Sequence, residues 1–228
     1  MTAIVLDTET NTLHGVPLQI AYLSCSFEHG RLEYNKDAIF DELFSIDEHH
    51  IDIEAMAVHH IIEADLVGKP SYKTFTLPAN VEYIIGHNIE YDLGALALCD
   101  IDTTKYKPIC TLALARRVFP ECSKHSLGVL SYYLAKDKAQ VREYLKNAHD
   151  AKVDILLTIG LLKYIVKKEN IQTMEDLYQL SQAGPTFMPF GKHKGTALVN
   201  LPDSYVSWLL NQENIDPKLR NALINRKG

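Results

Sequence analysis

Positive charge is scarce in this sequence: 23 lysines and arginines stand against 29 aspartates and glutamates over 228 residues, a formal net charge of −6. That balance argues against a protein that coats nucleic acid by bulk charge, because phosphate affinity needs grouped Lys and Arg. Long apolar runs are missing too. No stretch approaches the roughly 18 residues of a membrane span, and the N-terminus lacks the basic start and apolar core of a signal peptide. No membrane is therefore expected, and a cytoplasmic location is. Cys25, Cys99, Cys110 and Cys122 make no C-x-x-C pair, which argues against a disulfide framework and leaves little for a zinc or redox centre. Repeats and low-complexity tracts are absent as well. What is present is an ordinary globular composition, 46% hydrophobic and 23% charged, in a chain long enough for one substantial core with an appendage.

Alternation and β-branching predict strands over Thr2–Asp7, Leu18–Phe27 and Arg31–Tyr34, the last two joined at His29-Gly30. Asp52 caps an expected helix over Ile53–His60. "VEYIIG" (Val81–Gly86) reads as another buried strand, after which Asn88 caps a helix through Tyr91–Cys99. A short strand at Pro108–Cys110 follows, then helices over Thr111–Val118, from Ser126 to Ala135, and over Asp150–Lys168, the last closed by lysines as the helix dipole favours. Strands first, then strands alternating with helices, give an α/β fold with a mixed sheet flanked by helices. After Gly184-Pro185 the composition shifts, so domains 1–184 and 185–228 are expected, the second a turn plus two helices.

"IVLDTETN" at residues 4–11 poses the sharpest question, since a buried-looking strand runs straight into Asp7 and Glu9. Side chains two apart on a strand share a face, so these carboxylates project together and repel unless something positive lies between them. Spacing alone describes a strand end facing water just as readily, and Asp52-Ile53-Glu54 repeats it where helix capping suffices. The company of the pair changes its weight. "IIGHNIEYDLGAL" sets Asp92 one helical turn past Asn88, and "NAHDAKVDILLTIGLL" sets Asp154 on an otherwise apolar helix with His149 at its start. Chance seldom assembles that joint order.

With these motifs the chain resembles the DnaQ-like (DEDDh) 3′→5′ exonucleases of the ribonuclease-H-like superfamily. "DTET" stands for the first motif, "HNIEYD" for the second, with Tyr91 where Phe is usual, and "HDAKVD" for the third. "AMAVHHIIEADL", "ICTLALARRVFP" and "SLGVLSYYL" resemble the intervening segments, so the likeness covers about residues 2–168. The tail "PFGKHKGTALVNLPDSYVSWLL" resembles the C-terminal extension of the exonuclease X subgroup.

The resemblance implies a ribonuclease-H-like mixed sheet and a metal-dependent enzyme that releases 5′-mononucleotides from DNA 3′ ends, in repair or end trimming. Two Mg²⁺ or Mn²⁺ ions, about 4 Å apart, suit four oxygen donors with no strong local cation. Asp7 would bridge both, Glu9 and Asp154 would complete the site of the first, and Asp92 would act on the second. His149 would take a proton from the attacking water, a role that an ordinary pKa near about 6.5 suits. In the loop "NTLHGV", Leu13 and His14 offer an apolar and a flat surface to the terminal base, Thr10 adjoins them, and Gly15 lets the loop turn. Asn88 would orient the second motif by capping.

Two basic clusters stand out, "ARR" at 115–117 and "GKHKG" at 191–195. Lys192 and Lys194 suit phosphate contact, although a solvated turn explains them equally well. His49-His50 and His59-His60 face apart and complete no metal cluster, and Trp208 is expected to pack the appendage. An RNA or oligoribonucleotide exonuclease is an alternative, since only a 2′-OH contact separates the sugars. So is a polymerase-associated proofreading subunit, or a non-catalytic binding subunit, whose sign is a lost acid; here all four acids are present. The implied partner is a nucleic acid 3′ end, DNA over RNA. Strand form, processivity, pathway and oligomeric state stay open, a homodimer included.

Overall fold

The structure, a computed structural model, describes residues 2–146, 149–212 and 214–227. The aliphatic run "AIVL" puts the first strand, β1 (Thr2–Thr10), in the core on both faces. β1 runs three residues past Asp7, so both acids lie within it. β2 (Pro17–Glu28) pairs antiparallel with β1, setting Asp7 opposite Ala21 and Glu9 opposite Gln19. β3 (Arg31–Tyr34) follows a turn in which His29 and Gly30 both take positive φ. β4 (Phe40–Leu43) pairs with the first part of β2, over Gln19–Tyr22.

Helix α1 (Ile53–His59) starts at Asp52, whose side chain makes no capping bond and instead meets His50 at 3.1 Å. β5 (Val81–Gly86) runs parallel to β1 and leads into α2 (Glu90–Ala97). The expected cap at Asn88 is not made. Ile89 holds that position with no side-chain bond, while Asn88 is exposed with a φ of 75° and only its carbonyl engages the helix, accepting from Tyr91 N–H. β6 (Lys107–Cys110) completes the parallel trio, and its Pro108 is tolerated because β6 is an edge strand. The remaining helices are α3 (Thr111–Val118), α4 (Leu127–Leu134), α5 (Lys138–Leu145), α6 (Ala151–Lys168), α7 (Met174–Gln182), α8 (Asp203–Leu210) and α9 (Pro217–Ile224).

The six-stranded mixed sheet has the order β3-β2-β1-β5-β6, with β4 also on β2. One face carries Ala3, Val5, Leu23 and Ile85 against α3, α4, α6 and α7; the other carries Ile4, Leu6, Ile20 and Ile84 against α2 and the segment around Phe44, Tyr72 and Phe75. A third, separate cluster of Met188, Leu198, Leu201, Val206, Leu209, Leu219 and Leu223 forms the inside of the C-terminal extension. Arg117 bonds the Gly184 carbonyl and Lys218 the Ser181 carbonyl, joining the extension to α3 and α7. Among the described residues no helix is long and apolar enough to cross a membrane.

Candidate active site

Residues 3, 5, 7 and 9 of β1 point to one face, so the apolar row Ala3–Val5 continues directly into Asp7 and Glu9. Helix α6 packs on that face and begins beside the two acids. Its start is fixed from two directions: Asp150 accepts from Val153 N–H at 3.2 Å, and Ala151 N–H donates to Gln19 Oε1 at 3.3 Å. Gln19 is itself buried opposite Glu9 and donates to Asp41 at 2.9 Å. The result places one donor atom each of Glu9, His149 and Asp154 within 4.8 Å of one another.

Asp92 arrives from α2 on the other side of β1. Beyond Val5 the parallel pairing with β5 has ended, so the Thr8 N–H lacks a strand partner on that edge and donates to Asp92 Oδ1 at 2.9 Å. The Thr8 hydroxyl donates to the same oxygen, also at 2.9 Å. Gly86 makes room for this approach. A Cβ there would stand 2.6 Å from Ile89 Cδ1 and 3.3 Å from Asp92 Oδ2.

Five carboxylates therefore gather: Asp7, Glu9, Asp92, Asp154 and, unforeseen from sequence, Asp150. Among the described residues none of them pairs with a Lys or Arg. Burial, then the neighbouring acids, pushes Asp7 well above the usual carboxylate range and Glu9 up to about 8. Burial raises Asp92 to about 7 against the opposing hydrogen bonds from Thr8, and raises Asp154 against the pull of His149. Acids held this close without a counter-charge offer a set of oxygen donors that hard divalent cations fit, with the His149 imidazole beside it.

His149 is exposed and held at a φ of 68°, a backbone conformation costly for a residue with a Cβ. The loop after β1 is tied down by Asn11, which accepts from Val16 N–H at 2.8 Å and donates to the His50 carbonyl at 2.7 Å. Gly15 closes it for want of space: a Cβ there would lie 2.1 Å from Asn11 Oδ1. Leu13 projects into solvent, 78% exposed, and His14 lies with its ring 5.7 Å from that of Tyr91. Thr10 is buried, and its hydroxyl is spent on the Thr12 carbonyl at 2.7 Å and on the Tyr91 hydroxyl, so that side chain is not free for a substrate. The Tyr91 hydroxyl that distinguishes this chain from the Phe-bearing motif thus bonds the first strand.

Beside Glu9 opens a cleft of about 480 Å³ walled by Leu13, Ala55, Val58, His59 and Tyr91, with Asp52 and Glu54 at its side. The spacing of His59 and His60 makes them face apart and gives no reason to place either in a site. The structure buries His59 in this wall, its Nδ1 accepting from Ile61 N–H at 3.0 Å and its Nε2 without a partner among the described residues. Lys192 and Lys194 lie on the extension. Lys194 does not project freely, because its ammonium donates to the Ser123 carbonyl.

Residues 4–162 match the RNase T family model, described as exonuclease, and residues 175–223 match one described as a putative quorum-sensing-regulated virulence factor. No curated protein sequence matches the chain. Among solved structures, exonuclease X in complex with 5′-overhanging duplex DNA is 23% identical with a TM-score of 0.55, the match covering 77% of this chain and 99% of that one. Cell-death related nuclease 4 (CRN-4) is 13% identical with a TM-score of 0.51, the match covering 75% of this chain and 65% of that one. Both likenesses are of fold, and that fold is the mixed sheet flanked by helices expected from the motifs.

Proposed function

The chain belongs to the RNase T exonuclease family, and on that premise we propose that it shortens DNA from the 3′ end, releasing 5′-mononucleotides, with two Mg²⁺ or Mn²⁺ ions. The carrying observation is the convergence of Glu9, Asp154 and His149 donor atoms within 4.8 Å, with Asp7 and Asp92 among the same acids. Asp7, Glu9, Asp92 and Asp154 would hold the ions. When bound, divalent ions supply Lewis-acid stabilisation of phosphoryl oxygens and an acidified water. An imidazole nitrogen of His149, exposed at the mouth of the cluster, accepts the proton of the attacking water. Leu13, Val58 and Ala55 give the terminal base an apolar wall next to Glu9, and Asn88 stands exposed at the opening of the second motif.

DNA would be the substrate rather than RNA, a reading supported by the exonuclease X structure of similar fold having been solved with duplex DNA. Residues 1–184 would carry the reaction and residues 185–228 would form an accessory unit. The test is incubation of 5′-labelled single-stranded DNA, duplex DNA and RNA with Mg²⁺, with Asp7→Ala as control. A ladder shortening from the 3′ end of DNA, lost in the variant, supports the proposal. Shortening of RNA in preference would transfer it to the oligoribonucleotide class, and no shortening of any substrate would leave a binding subunit.

A further inference from the structure

The C-terminal extension opposes the rest of the chain in charge. Residues 185–228 hold six lysines and arginines and three acids, a net +3, whereas residues 1–184 hold 17 and 26, a net −9. Its helix α8 packs inward through Val206 and Leu209, with half-buried Tyr205 resting partly against the same cluster, and leaves Trp208, one turn on from Tyr205, facing outward. Trp208 is 54% exposed and does not pack the extension's interior as the sequence suggested. Its ring stacks beside Tyr205 at 5.6 Å and 29°, and Lys192 Nζ sits 5.4 Å over the Tyr205 ring.

Phe190, 48% exposed, completes the aromatic side of a groove of about 510 Å³ lined also by Gly191, Lys192 and Ser204. Among the described residues no acid lines that groove and Lys192 pairs with none. Phe190 also walls the adjoining depression, lined by Arg116 and by Arg117 and Lys218, which bond the Gly184 and Ser181 carbonyls; among the described residues its one acid, Asp216, accepts from Leu219 N–H at 2.8 Å. Arg116 stands on α3, whose first residue, Thr111, donates its hydroxyl to the Gly86 carbonyl at the end of β5 at 3.1 Å. Aromatic faces and cations thus run from α8 onto α3, the helix that starts beside the end of β5. Exposed aromatics of this kind mark a surface that something covers. An apolar peptide would leave the cations unmatched, while a nucleic acid strand satisfies both, its bases stacking and its phosphates meeting the positive groups.

We propose that Phe190, Tyr205 and Trp208, with Lys192 and Arg116, form a platform for single-stranded nucleic acid, on which unpaired bases of the substrate strand stack while its 3′ end occupies the cluster on β1. The proposal rests on the nuclease reading for its choice of ligand, and the two fail separately in the following experiment. Binding of a labelled long oligo(dT) to the full chain is followed by fluorescence anisotropy in EDTA, and hydrolysis of a dinucleotide is measured in parallel with Mg²⁺. Trp208→Ala is expected to weaken oligo(dT) binding about tenfold, Trp208→Phe to restore most of it, and both to keep wild-type dinucleotide turnover and melting temperature. Lys192→Ala is expected to make the salt dependence of binding shallower by about one unit of log–log slope. Unchanged oligo(dT) binding in a Trp208→Ala, Phe190→Ala double variant would overturn the platform, whatever the turnover, and would reassign the patch to a protein partner. Weakened binding in a chain that hydrolyses no nucleic acid would support the platform and remove the nuclease reading instead.

Discussion

Thr8 gives Asp92 Oδ1 two hydrogen bonds, one from its backbone N–H and one from its hydroxyl, each 2.9 Å long. They cross from the middle of β1 to the second motif on α2, so the residue between the two strand acids is what positions the third. Both bonds favour the ionised carboxylate against the burial that raises it to about 7.

Thr8→Val keeps the shape and the backbone donor but removes the hydroxyl. A hydrogen bond to a charged group is worth about 1.5 kcal/mol, roughly tenfold in ionisation, so the Asp92 pKa should climb by about one unit. At subsaturating Mg²⁺, where protons and the cation compete for Asp92, the pH–rate profile of the variant should move to higher pH by about that amount, with the rate at neutral pH down several-fold. An unshifted profile would show that the hydroxyl does not tune Asp92.

Gly86→Ala tests the closeness of Asp92 to the end of β5. The new methyl meets Ile89 Cδ1 at 2.6 Å, and Ile89 is fully buried, so it has nowhere to retreat. Destabilisation of about 2 kcal/mol is expected from overpacking. Because Asp92 Oδ2 is 3.3 Å from the same methyl, activity should fall further than the loss of folded protein explains. Wild-type turnover per folded molecule, with folding followed by denaturant titration, would refute this.

Much of the site was legible in sequence because its groups recur in chain order at element boundaries: two acids on β1, one acid opening α2, a His and an acid opening α6. What was not legible depends on the third dimension. Gln19 reaches the start of α6 across 132 positions, and Asp150 looks like a plain helix cap until α6 lies over β1. Thr8 reads as a spacer because nothing local shows that β5 stops short and frees its N–H. β4 is only four residues of "FDEL" without clean alternation, and α5 buries none of its residues, so neither carries a strong apolar period. The pairing of His59 with His60 argued correctly that the two face apart, but not that one of them faces the cleft.

Glu9 and Asp92 also set how stability and cation binding vary with pH. Their folded pKa values, about 8 and about 7, stand above the ordinary 4.5 and 3.8. A raised folded value means the associated stability is complete below the ordinary pKa and is lost as pH rises through the folded one. In EDTA the melting temperature should therefore fall between about pH 5 and pH 8. A divalent cation binds the ionised forms and releases protons, so Mg²⁺ should raise the melting temperature more at about pH 8 than at about pH 5.5. Equal stabilisation at both would mean that Mg²⁺ does not bind these acids.

His149 separates chemistry from backbone strain if the substitution respects its φ of 68°. Alanine would add the cost of a left-handed conformation to the loss of the ring, and a slower enzyme would then have two causes. Asn enters that region more readily than most residues, so His149→Asn removes the proton acceptor with little strain. Melting temperature and Mg²⁺-induced stabilisation should stay near wild type, because Asp7, Glu9, Asp92 and Asp154 are untouched. The single-turnover rate should fall by about 10²- to 10⁴-fold, the usual contribution of a positioned general base. A variant that keeps the wild-type rate would show that the proton leaves the attacking water by another route, and would reduce His149 to a residue that only precedes α6.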